Sequence, residues 1–133
     1  MSSRYFRCES HIIPCQHIRS SPHALGVKHD AVLQLAIKQY TPLDLGEPQP
    51  GDVTCIGAHA NGMPKELYEP MWDDLYLASK RNGFRIRSIW IADVYFQGES
   101  GVLNEQLLGN DREFHCHIFS PLYCVRIPCL HCI

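Results

Sequence analysis

No apolar run in the 133 residues approaches the roughly 18 that would cross a bilayer as a helix. The N-terminus, Met-Ser-Ser-Arg-Tyr-Phe-Arg-Cys-Glu, lacks the hydrophobic core of a signal peptide, so secretion is not expected. Charge of one sign is lacking too: formal net charge is -2 and the eight His are scattered, which gives no nucleic-acid footprint. Internal repeats and low-complexity tracts are absent. Cysteine is sparse where a fold would need it. Cys8, Cys15 and Cys55 lie far apart, and the other four of the seven crowd into the last 18 residues. An odd count without a signal peptide argues against a disulfide framework and predicts reduced thiols.

What is present is ordinary for a single soluble domain: 45% hydrophobic and 20% charged residues. Residues 4 to 19 carry Tyr5, Phe6, Ile12, Ile13 and Ile18, interrupted by Pro14. They read as one short edge strand or a kinked pair. A polar connector follows, from Ser20 to Asp30. In Ala31 to Tyr40 the set Leu33, Leu35, Ile37 has period two; a helix would also fit, but the extended ending Tyr40-Thr41-Pro42 favours a strand. Thr41 to Asp52 is a loop rich in proline and glycine.

The organising stretch is Val53 to Pro64. Val53 to Gly57 reads as a buried parallel strand, ending at a small-residue turn with His59, Asn61 and Gly62. Pro70 cannot sit mid-helix, so a short turn precedes a main helix that starts at Pro70 and is capped by Gly83. Met71, Trp72, Leu75, Tyr76 and Ala78 make its expected apolar stripe, with Asp73 and Asp74 early and Lys80 and Arg81 late, as the helix dipole favours. Arg85 to Val94 reads as a second buried strand ending at Asp93, a carboxylate expected to brace the following turn. Strand, helix, strand over this distance is a βαβ unit. Residues 94 to 111, with Gly98, Gly101 and Gly109, read as a loop.

Two motifs in this frame carry a resemblance. His59-Ala60-Asn61-Gly62-Met63-Pro64 resembles the His-Gly type oxyanion loop of the α/β-hydrolase superfamily, with one residue inserted. Asp93-Val94-Tyr95-Phe96-Gln97-Gly98-Glu99-Ser100 is similar to the superfamily's Asp-x-x-Gly-x-Gly-x-Ser turn. The wider wording from Gly57 to Leu75 resembles a fungal branch that includes host-selective toxin (AK-, AF- and ACT-type) biosynthesis proteins and a peroxisomal lipase-like group. The resemblance covers residues 4 to 111. It implies a partial α/β-hydrolase domain: antiparallel first strands, then the βαβ unit. By resemblance His59, Asn61, Gly62 and Met63 form the oxyanion loop, whose backbone N–H groups would be worth roughly 3 kcal/mol to a transition state in an intact enzyme. The bland reading of the same turn has His59 hydrogen-bonded to backbone.

The chain contains no Gly-x-Ser-x-Gly, the elbow that holds the nucleophile in this superfamily. Ser100 comes closest but lies one strand too early. No catalytic residue is therefore assigned, no cofactor is expected, and the chain reads as a C-terminally truncated, inactive copy whose intact relatives would act on an acyl ester or thioester. Residues 112 to 133 look unrelated and are expected to be disordered. Their His115, Cys116, His117, Cys124, Cys129, His131 and Cys132 offer the alternative of a small interaction or zinc-binding protein, but only Cys129-x-x-Cys132 has ligand spacing, so no metal site is assigned. The superfamily's strand order would leave Val53 to Gly57 with an open edge and a route to self-association. Relatives by resemblance are peroxisomal through a C-terminal tripeptide. The ending His131-Cys132-Ile133 is no such signal, so a cytoplasmic address is expected.

Overall fold

The computed structural model describes residues 4–15 and 31–108. Four strands form one sheet in the order β1-β2-β4-β3. β1 (Phe6–Pro14) and β2 (Gln34–Pro42) are antiparallel, from Phe6 opposite Pro42 to Pro14 opposite Gln34. β2 is antiparallel to β4 (Ile86–Ala92) over Ile37 to Tyr40. β3 (Val53–Ala58) runs parallel to β4, with a bulge between Val53 and Thr54. The strand choice for the Ala31 stretch and the βαβ order therefore hold.

Between β3 and β4 a single-turn 3-10 helix, Lys65–Tyr68, leads into α1 (Glu69–Asn82). Pro70 sits in the first turn of α1, where its missing N–H costs nothing. Gly83 ends the helix in the left-handed conformation, φ 73°. α1 lays Trp72 on the sheet, in a core with Phe6, Tyr40, Ile86, Ile89 and Ile91. At Gly57 the chain approaches that indole so closely that an added Cβ would lie 2.9 Å from it. Tyr5 and Tyr76 stack at 4.9 Å beside this core.

Three expectations fail. Met71 is 48% exposed and lies outside the buried stripe. β3 is not buried: Val53, Thr54 and Ile56 are exposed, because among the described residues only β4 pairs with it. Residues 94 to 111 are not all loop, since Gly98–Asn104 forms a second helix, α2. Its glycines mislead a reading by propensity, but the positions demand them. Gly98 has φ 55°, and a Cβ there would sit 2.6 Å from the Asp93 carboxylate. Buried Ser100 and Asn104 then fasten α2 to β2. The Ser20 to Asp30 connector lies outside the described residues, as does the Cys/His-rich tail.

Candidate functional site

β3 and β4 are adjacent and parallel, so the turns that follow them emerge side by side at the same end of the sheet. In open α/β sheets that end is where ligands bind. Here the two turns are tied together by side chains.

His59 is the first tie. It is buried, its Nε2 accepts the Val94 N–H at 3.0 Å, and its Nδ1 lies 3.0 Å from the Ala60 carbonyl. An Nε2 that accepts leaves the proton on Nδ1, which donates to that carbonyl. His59 is thus spent on two backbone bonds, as the bland reading of this turn requires. Asp93 Oδ1 is 4.0 Å from Nε2, too far to share a proton.

The second tie is Gln97. Its Oε1 accepts the Gly62 N–H at 3.1 Å, and its Nε2 donates to Asn61 Oδ1. Met63 donates its N–H to the Ala60 carbonyl at 3.0 Å, and Ala60 donates to the Tyr68 hydroxyl at 3.0 Å. Asn61, Gly62 and Met63 form an exposed tip, and the Gly62 and Met63 N–H groups are both engaged.

The third tie is an ion pair that sequence reasoning missed. Lys65 is almost fully buried and its Nζ lies 2.5 Å from Asp93 Oδ2, with Glu66 at 3.3 Å and Glu99 at 3.5 Å. Burial alone would lower the ammonium pKa. The hydrogen bond and charge of Asp93, with Glu66 adding, outweigh it and hold the pKa above 10.5. Asp93 Oδ2 also accepts the Glu99 N–H at 3.0 Å, so the expected turn brace is present and also serves as counter-ion. Nothing in Met-Pro-Lys-Glu marks this lysine as buried; such stretches ordinarily face water.

A neighbouring polar cluster supports the 3-10 helix from the sheet side. Lys38 reaches Glu66 at 3.1 Å and Glu69 at 3.5 Å, and the buried Tyr40 hydroxyl donates to Glu69 at 3.1 Å. Burial first, and then the Glu69 charge, push the Tyr40 phenol far above its usual range, so it stays a donor. Among the described residues no three His, Cys, Asp or Glu side chains gather as a metal site. Cys8 and Cys55 are free thiols. The tail residues offered as zinc ligands, His115 to Cys132, lie outside the described residues.

No protein-family model matches the chain. Curated fungal proteins do resemble it. The type I acyl-CoA thioesterase mpaH of Penicillium roqueforti (strain FM164) is 44% identical over 118 residues, covering 88% of this chain and 26% of the relative. Two Penicillium brevicompactum thioesterases, mpaH' and mpaH, are 43% and 42% identical over the same share. The chain thus spans about a quarter of the length of the curated relatives it matches. Among solved structures, the peroxisomal alpha-beta-hydrolase Lpx1 of Saccharomyces cerevisiae superposes with a TM-score of 0.63 at 21% identity, over 80% of this chain and 29% of that one. An identity that low speaks to fold alone. Four strands in this order, with α1 crossing between the parallel pair and two tied turns at one end, make the chain α/β-hydrolase-like, with part of an α/β-hydrolase fold.

Proposed function

We propose that this chain supplies the carbonyl-holding half of an acyl-CoA thioesterase site. The observation that carries the reading is the Gly62 N–H bound to the side-chain carbonyl of Gln97 at 3.1 Å. That N–H can bind a carbonyl oxygen, and it lies in the loop that by resemblance would hold the thioester oxygen. When Gln97 turns away, that N–H is free to hold an oxygen whose charge grows during acyl transfer. His59, Gln97 and the Lys65–Asp93 pair act on the loop's position and not on the substrate. The thioesterase relatives support an acyl thioester as the substrate class, in the fungal secondary metabolism to which the toxin-biosynthesis branch belongs. The yeast fold neighbour, being peroxisomal, supports that compartment for the working hydrolase. The 133 residues hold no Gly-x-Ser-x-Gly, so the chain alone is inactive: an oxygen-holding donor without a nucleophile does not turn over.

The test has two arms. The purified chain is mixed with acyl-CoA esters of several lengths, with free thiol release as readout, and in parallel with a fluorophosphonate probe. Neither turnover nor a labelled serine is expected. In the second arm, residues 4 to 111 replace the aligned segment of the Penicillium roqueforti thioesterase. The chimera should hydrolyse acyl-CoA. A chimera that melts cooperatively yet releases no thiol would sink the proposal, as would a labelled, active isolated chain.

A further inference from the structure

Gln97 is the N-terminal cap residue of α2, yet its side chain makes no cap bond to that helix. Helix starts favour short side chains that reach their own N–H groups, and glutamine is not among them. Its backbone is fully used: the N–H donates to the Val94 carbonyl at 3.0 Å, and the carbonyl accepts the Gly101 N–H at 2.9 Å. The residues after it are held as well, Glu99 by Asp93 and Ser100 by the Ala36 N–H. The side chain is what remains able to move, and it crosses to a turn 35 residues away. There both ends of its carboxamide are engaged, Oε1 by the Gly62 N–H at 3.1 Å and Nε2 by Asn61 Oδ1. Both bonds are neutral and lie at an exposed tip, where water competes for the same groups, so each is weak in net terms. Rotation about the side chain's own bonds opens and closes this contact without moving the fold.

We propose, resting on the reading of Gly62 as the carbonyl-holding donor, that Gln97 is a built-in competitor for that donor. Its amide oxygen saturates the Gly62 N–H until a thioester carbonyl displaces it. With the amide in place the N–H is spent, so the apparent affinity for acyl-CoA is the intrinsic one reduced by the open fraction. At saturating acyl-CoA the amide is displaced, and the turnover step does not feel it. Asn61 Oδ1 holds only the Nε2 end, so it biases the balance without competing for the donor. Gln97 therefore sets how much acyl-CoA the site needs, and not how fast the bound thioester reacts.

Amide hydrogen exchange on the full chain and kinetics on the chimera with the Penicillium roqueforti thioesterase test this separately. Gln97→Met keeps the length of the side chain and removes both bonds. In the full chain it should speed exchange of the Gly62 amide by about two- to tenfold. The Val94 and Glu99 amides, held by His59 and Asp93, should keep their rates. In the chimera the same substitution should raise kcat/KM by about the factor seen in exchange and leave kcat where it was. Asn61→Ala should move both readouts the same way by a smaller factor. Faster exchange at Val94 and Glu99 as well, with a lowered kcat, would make Gln97 a structural brace and overturn the proposal. So would a Gly62 amide whose rate does not change. An inactive chimera sinks the reading of the site and the competitor with it, whereas an active chimera indifferent to position 97 sinks the competitor alone.

Discussion

At the scale of single residues, Lys65 is where the most depends on one side chain. It has left water for Asp93, and Asp93 in turn fixes the first turn of α2 through the Glu99 N–H. Removing one member of a buried pair strands the other, at a cost of about 3–5 kcal/mol. Lys65→Met should therefore lower stability by that order in urea titrations, and adding Asp93→Asn should restore part of it. A double variant that loses the sum of the two single losses would show that the pair is not coupled. Sequence disclosed half of this arrangement. A carboxylate at the end of an apolar strand reads naturally as a brace for the next turn, so Asp93 was legible. Its partner was not, because whether a lysine is buried depends on what packs over it, and Pro64-Lys65-Glu66 has the composition of a surface turn. The same holds for Gln97, whose amide meets Gly62 from 35 residues away.

At the scale of elements, local chemistry decided what could be read. α1 was legible because Pro70 and Gly83 mark its ends by mechanisms internal to the helix. α2 was not, because its stability comes from outside: Ser100 and Asn104 are anchored on β2, and its glycines fit close neighbours. β3 was recognised as a strand, while its burial depended on neighbours that no local pattern encodes. The seam between α1 and β3 is tight at Gly57, where a methyl group would meet Trp72 at 2.9 Å and Ile91 at 3.4 Å. Gly57→Ala should cost about 1–3 kcal/mol through overpacking, read as a lowered Tm. An unchanged Tm would mean the indole yields freely and the seam is looser than its distances.

At the scale of the whole molecule, charged groups on three elements converge between the sheet and the 3-10 helix, and their titration sets a pH window. Burial opposes the Lys65 and Lys38 ammonium groups, yet Asp93 and Glu66 respectively win and raise both pKa values above 10.5. Stability from a raised lysine is complete below its ordinary pKa and is lost as pH climbs through the folded value. Glu66 runs the other way. Burial would raise it, but the hydrogen bond from Lys38 holds it below 4.5. Its contribution is complete above that value and is lost as pH falls through the lowered one. Tm should therefore be level across about pH 5–10 and fall on both sides. A steady slope through the neutral range would mean that other groups govern the profile.

The sheet itself was half legible: the parallel pair follows from the helix that joins its strands and the antiparallel opening was implied by the family resemblance, whereas no local pattern places β4 between β2 and β3. Where β4 stops at Ala92, β2 continues, and α2 serves it in place of a strand. The Ala36 N–H donates to Ser100 Oγ at 2.8 Å, and Asn104 bonds both the N–H and the carbonyl of Gln34 at 2.8 Å. These contacts recur every second residue, in step with the strand itself. A helix that grips a strand at that interval works as a ratchet pawl: β2 cannot slide by one residue against its neighbours without unseating every tooth at once.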